Sequence, residues 1–229
     1  MNLLLLAIAP SFALGIFFYI KDKYEKEPLK LLLKTFILGT LTIVPAAILE
    51  GILFSLFGLD LYQINNLPTL FLSMIFFVAL IEEVVKFSVV RFYIWNKKDF
   101  NEPYDGIIYT VMASLGFATF ENILYVFSSG ATVGLLRAFL TVPVHALTAA
   151  IMGYYIGLAK YPRVPGKNQY LIKGLMVAIL FHGTFNFLVS SKIVWLILFA
   201  PILVIYVWKV GIKAMKIHGQ ASPFKKALS

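Results

Sequence analysis

Seven stretches of this chain are apolar over lengths that cross a bilayer: about 3–20, 33–57, 69–95, 104–127, 134–159, 171–190 and 193–209. A transmembrane helix needs about 20 mostly apolar residues. The composition agrees, with 60% apolar and only 14% charged residues and a mean hydropathy of +0.87. A soluble domain carries about 25% charged residues, so lipid must solvate much of this surface. The expected fold is all-α, a polytopic transmembrane helical bundle of about seven spans. The stretch Met1–Ile20 has no Lys or Arg before it and reads as a retained first helix, since a signal peptide has a basic leading region. The absence of cysteine excludes disulfide staples and thiol chemistry.

The basic residues set the expected orientation. Lys21, Lys23, Lys26, Lys30 and Lys34 follow the first stretch, and Arg91, Lys97 and Lys98 close the third. Lys160, Arg163, Lys167 and Lys173 follow the fifth, and Lys209, Lys213, Lys216, Lys225 and Lys226 follow the last. With seven alternating spans, seventeen of the 20 Lys and Arg residues share one side. The excess of positive charge on cytoplasmic loops then puts the N-terminus outside and the C-terminus in the cytoplasm. The net charge of +9 lies between apolar runs and is not interleaved with aromatics on one face. That pattern suits anionic lipid headgroups and not nucleic acid.

Against this apolar background, Glu82, Glu83, Glu121, His145 and His182 are out of place. An ionised carboxylate in hydrocarbon costs roughly 3 kcal/mol on insertion scales. Such groups are retained where they are paired, bound or used. At a helix rise of 1.5 Å per residue, Glu121 lies about 9 Å below the outer end of its span, His182 about 12 Å, His145 about 17 Å and Glu82 about 20 Å. Four consecutive spans therefore place one proton-handling side chain each in the outer half of the membrane. Glu82 and Lys86 are four residues apart, in the favourable order for a helical ion pair. His182 and Asn186 share a face by the same spacing, as do Phe117 and Glu121. Gly116 lets another backbone approach closely.

Each residue also has a plainer reading. The acidic pair is neutralised in part by Lys86, Glu121 joins helices as a hydrogen-bonded acid, and a buried histidine is a satisfied core residue. Asp105 reads as a cap at the start of the fourth span. Arg91, Arg137, Lys160 and Lys209 read as side chains reaching up to the interface, and His218 as part of a polar tail. Pro45 and Gly51 predict a tilt, kink or break in the second span, with Glu50 near its outer end.

Two carboxylates and two imidazoles suffice to activate a water, one carboxylate taking its proton and returning it to a leaving amine. An Asn amide or His N–H can stabilise the oxyanion. A bound divalent metal such as zinc would acidify the water instead, with Glu121, His145 and His182 as its candidate ligands. His-Glu-x-x-His, Gly-x-Ser-x-Gly and Gly-x-Gly-Asp motifs are absent. Proton-coupled transport draws on the same inventory, but the inner halves of the spans offer little beyond Lys86 to continue a polar path. A non-catalytic scaffold or immunity protein is the remaining class.

At these residues the chain resembles the PrsW family of bacterial intramembrane proteases. Glu82-Glu83-Val-Val-Lys86 is similar to its Glu-Glu-x-x-Lys motif, and Phe117-Ala-Thr-Phe-Glu121 to its Phe-x-x-x-Glu motif. His145-Ala-Leu with Met152-Gly153 resembles a third motif, and His182-Gly183 with Asn186 a fourth. The likeness extends to Lys21-Asp22-Lys23-Tyr24, Glu27-Pro28 and Tyr104-Asp105-Gly106. The family is similar in turn to the CAAX prenyl protease and bacteriocin-processing proteins, in which His is usual where Glu121 stands here. The resemblance implies a peptidase in the bacterial cell membrane. Its catalytic residues would be Glu82, Glu83, Glu121, His145, His182 and Asn186. Glu82 would be the general base, and His182 and Asn186 would orient the water or stabilise the oxyanion. The implied partner is a single-pass membrane protein, an anti-sigma factor cut on its outer side. Residues 1–217 would form one integral-membrane protease domain and 218–229 a short basic cytoplasmic tail.

Overall fold

A computed structural model describes residues 2–161 and 166–227; Arg163 and the side chain of Lys226, both in the charge pattern above, lie outside it, as does Met1. The described residues form helices and connecting turns, without a strand. The chain opens with α1 (Leu3–Lys21), whose first turn is capped by Asn2, its Oδ1 accepting from the Leu4 and Leu5 amides at 3.0 and 3.4 Å. At its other end the Lys26 ammonium folds back to donate to the carbonyls of Tyr19, Ile20 and Asp22. These acceptors have no continuing helix to satisfy them.

The second apolar stretch is two helices, α2 (Leu29–Leu41) and α3 (Ile43–Leu56), jointed at Thr42. Pro45 explains the joint, because it has no N–H for the carbonyl of Leu41. At the joint the Thr42 hydroxyl donates to the Gly39 carbonyl at 2.6 Å. The third stretch runs from α4 (Leu67–Ser73) through a π-helical turn, Met74–Ala79, into α5 (Leu80–Ser88) and a second π-helical turn, Val89–Ile94.

Then come α6 (Pro103–Leu136), a π-helical turn at Arg137–Thr141 and α7 (Val142–Lys160). As one straight rod the 58 residues of Pro103–Lys160 would be about 87 Å long, far beyond a core of about 30 Å. They instead double back. Gly130 has φ +83, a left-handed conformation that glycine takes without cost. Beyond it α7 returns antiparallel to α6, with Gly153 on α7 against Gly106 on α6. The chain ends with α8 (Lys167–Ser190), the short α9 (Val194–Ile197), α10 (Phe199–Gln220) and a 3₁₀ turn at Pro223–Ala227. His218 is not in a loose tail. It lies within α10, buried, its ring stacked on Tyr154 at 4.3 Å.

Among the described residues, five helical segments are long and apolar enough to cross a membrane: Leu3–Lys21, Leu29–Leu56, Pro103–Lys160, Lys167–Ser190 and Val194–Gln220. The α6–α7 hairpin is the centre of the bundle, buried along most of its length, and α1, α2, α8 and α10 pack around it. Outward-facing Leu5, Ile16, Ile48, Phe92, Phe139 and Ile202 are exposed. An apolar perimeter of this extent belongs in lipid.

At the lysine-rich end, the loop after α1 folds onto the start of α6 and buries Asp22, Glu27, Glu102 and Asp105 together. Asp105 caps α6, one carboxylate oxygen accepting from the Asn101 and Glu102 amides at 2.7 Å each. The Tyr109 hydroxyl donates to Glu27. Burial, with Glu102 and Asp105 close by, pushes the Asp22 carboxyl up to about 8. Burial likewise pushes Glu27 up to about 7. Both groups hold a proton in the fold that the unfolded chain releases near the ordinary carboxyl value. Their contribution to stability is complete below about pH 4 and fades as pH rises through 7 to 8. The thermal midpoint in micelles should rise between pH 8 and pH 5, and Asp22→Asn with Glu27→Gln should flatten that slope.

Candidate active site

Two turns of α5 supply Glu82, Glu83 and Lys86, all on the face turned into the bundle. The expected pair forms: Lys86 Nζ donates to Glu82 Oε2 at 2.8 Å. It also donates to Glu83 Oε1 at 3.0 Å and lies 3.2 Å from His145 Nδ1 on α7. The Phe117 ring on α6 covers the ammonium at 4.2 Å. An ammonium has three protons and no lone pair, so these three neighbours take all of them. His145 Nδ1 must therefore accept, and its proton sits on Nε2, which faces Glu121 Oε2 at 3.0 Å.

The second imidazole is oriented by the second carboxylate. His182 Nδ1 lies 2.8 Å from Glu83 Oε1, and beside a carboxylate that nitrogen carries the proton. The free lone pair on Nε2 then faces Asn186, whose Nδ2 is 3.2 Å away, and Glu82 Oε2 at 3.9 Å. The two imidazole rings meet edge to face with centroids 4.8 Å apart. Glu83 is 0% exposed and Glu82 4%. Of the acidic pair, Glu82 is the one that reaches open space.

Glu121 is held differently from its neighbours. Its Oε2 is 3.0 Å from Arg137 Nη2 as well as from His145 Nε2. Arg137 Nε donates to Asn122 Oδ1 at 2.9 Å, and its guanidinium stacks over the Tyr125 ring at 4.1 Å. Asn122 Nδ2 in turn donates to the Ala7 carbonyl at 2.8 Å, which ties α1 to the hairpin. Arg137 is thus not a side chain reaching for the interface, as its place near a span end suggests. The turn at Gly130 brings it back onto Glu121, a meeting that helical spacing alone does not reveal. Arg137→Gln should lower stability by about 3 kcal/mol, the cost of breaking a largely buried pair. Arg137→Lys should recover part of it, both read from thermal midpoints of the solubilised protein.

All six site residues expected from the sequence come together. Glu50 on α3 joins them, near enough to feel the charges of Glu82, Glu121 and Lys86. The grouping suited to a metal differs from the expected Glu121, His145 and His182. One ligand atom each from Glu82, Glu83, His145 and His182 lies within 4.8 Å of the others, and Arg137 draws the Glu121 carboxylate aside. Two carboxylates and two imidazoles are a chemically suitable donor set for a divalent ion. As arranged, however, the ammonium of Lys86 already fills the space shared by Glu82, Glu83 and His145. A metal bonded to those three atoms does not fit beside it.

Within the ion-paired set, Glu82, Glu83 and Glu121 share one ammonium and one guanidinium. One carboxyl is therefore left without a counter-charge, which suits a group that takes up and releases a proton.

Comparison with known proteins agrees with the motifs. The family model described as "PrsW family intramembrane metalloprotease" matches residues 27–211. "Protease PrsW" of Geobacillus kaustophilus is 36% identical, over 97% of this chain and 95% of its own. The protein of the same name from Bacillus subtilis is 34% identical over 91% and 92%, and that from Clostridioides difficile 34% over 94% and 91%. No solved structure matches. With its apolar perimeter, its buried carboxylate–imidazole cluster and these relatives, the chain belongs to the PrsW family and is a multi-pass bacterial membrane peptidase.

Proposed function

We propose that the chain is a glutamate-dependent endopeptidase that cuts a single-pass membrane protein, an anti-sigma factor, near the outer face of the membrane. The observation that carries this reading is the convergence of Glu82 Oε2 and His182 Nε2, 3.9 Å apart, with the Asn186 amide beside them. A water bound beside Glu82 gives it a proton as the water oxygen attacks the peptide carbonyl carbon. The amide of Asn186 stabilises the oxyanion. Glu82 then returns the proton to the departing amine as the C–N bond breaks. Glu83 fixes the tautomer and orientation of His182, and Lys86 fixes the two carboxylates. Glu121, clamped by Arg137, holds His145.

Seven crossings, with the N-terminus outside and the basic end of the chain beyond α10 in the cytoplasm, are what the distribution of Lys and Arg supports. In that arrangement the cluster faces the outer half of the bilayer, within reach of a segment just outside it.

A second reading gives the cluster a divalent ion such as zinc, in line with the description of the family model; it requires the Lys86 ammonium to leave three of the four donor residues.

The test is co-expression with tagged anti-sigma factors and immunoblotting of membranes. A fragment made by the wild type and not by Glu82→Gln supports the reading, and the same fragment with both removes Glu82 from the mechanism. Proton flux into liposomes that Glu121→Gln abolishes would favour transport instead.

A further inference from the structure

The cluster holds a cation of its own, and it is covalently part of the chain. Lys86 Nζ has one partner atom on each of Glu82, Glu83 and His145, at 2.8, 3.0 and 3.2 Å. These are three of the four residues whose donor atoms converge as metal ligands do. The fourth, His182, directs Nδ1 at Glu83, so that nitrogen is engaged too. The remaining side of the ammonium is closed by the Phe117 ring at 4.2 Å. Lys86 is 0% exposed, so no water screens it from a second cation. Two cations sharing the same three donors at this range would repel strongly in a low-dielectric site.

We infer that the Lys86 ammonium stands in the place of a catalytic metal, so that this chain works without a divalent ion and becomes a metal-binding protein when the ammonium is removed. The consequence is chemical. An ammonium organises the two carboxylates and the imidazole as a metal would. It offers no vacant coordination position, so it cannot bind and acidify a water as a metal does. That task passes to Glu82. This role for Lys86 rests on the glutamate-dependent reading and deepens it. Its test measures metal content and not cleavage, so the two fail separately.

The experiment is elemental analysis of the protein purified in micelles without chelator, for the wild type and Lys86→Met, followed by titration with Co²⁺ as a spectroscopic probe. The wild type should hold far less than one divalent ion per chain and show no ligand-field bands with Co²⁺. Lys86→Met keeps the volume of the side chain and removes its charge. It should approach one Co²⁺ per chain, with bands of a low-symmetry site and a higher thermal midpoint when loaded. Lys86→Arg should remain empty. Lys86→Gln, which keeps hydrogen-bond donors for the carboxylates, is the second variant should Lys86→Met not fold. A wild type carrying about one tightly held ion per chain, lost in Glu83→Gln, would overturn the inference. So would a folded Lys86→Met or Lys86→Gln that takes up no metal.

Discussion

Glu82→Gln should leave the bundle folded and slow peptide cleavage by a factor of about 10² to 10⁴, the range that a general base supplies. Folding should survive because the amide oxygen of Gln can still accept the hydrogen bond from Lys86, which spans 2.8 Å to Glu82 Oε2. In the proposed mechanism the lost function is the basic lone pair that takes the proton of water. Glu83 cannot take over. Its Oε1 already accepts from Lys86 and His182, and the residue is fully buried. Glu83→Gln should therefore fail by another route. It frees the His182 ring, and it should lower both activity and thermal midpoint, whereas Glu82→Gln lowers activity alone. Single-turnover cleavage of a tagged substrate in vesicles, beside melting curves of both variants, separates the two. A Glu82→Gln enzyme within a few-fold of wild type would sink the assignment.

The second large effect lies away from the chemistry, where α2 crosses α6. Gly39→Ala and Gly116→Ala should each cost about 3 kcal/mol, the upper part of the usual range for overpacking. A methyl group on Gly39 would overlap the carbonyl of Ala113, and one on Gly116 the carbonyl of Phe36. Both obstacles are backbone, which cannot swing away as the end of a side chain can. The crossing is tight enough for the Thr40 hydroxyl to donate to the Gly116 carbonyl at 3.0 Å. Phe117, next in sequence, covers the Lys86 ammonium, so the same substitution should also reduce activity. Gly51→Ala on α3 is the control. Its new methyl meets nothing within 4 Å, and replacing a helical glycine by alanine gains up to about 1 kcal/mol. Equal losses at Gly39 and Gly51, read from thermal midpoints in micelles, would show that close packing at the crossing is not the cause.

Much of this architecture is legible because the bilayer reduces the vocabulary. Long apolar runs announce helices, and each ionisable residue inside one announces a site. The pairing of Glu82 with Lys86 follows from helical spacing, and so does the shared face of His182 and Asn186. Arg137 is unreadable for a definite reason. Its partner Glu121 belongs to another helix, and the two meet only because Gly130 turns the chain through a left-handed residue. The place of His218 is hidden similarly. A polar sequence near a terminus resembles a tail, and only the stacking on Tyr154 across the bundle shows otherwise. Which donor atoms converge escapes the sequence because spacing gives depth along a helix and not which of several carboxylates an arginine will claim.

Glu82, Glu83 and Lys86 lie between two π-helical turns, Met74–Ala79 and Val89–Ile94. A π turn accommodates an extra residue in an otherwise α-helical path, and each residue rotates the rest of the helix by about 100°. The heading of the acidic pair is therefore fixed by counting. A point substitution at 74–79 would change packing and leave that count alone. Deleting one residue there would let the wide turn close to an ordinary α-helical one, with both carboxylates keeping their heading; the same deletion in a turn with no residue to spare would swing them about 100° out of the site. To the bilayer the two sequences are almost indistinguishable; to the chemistry, one has a site and the other has none.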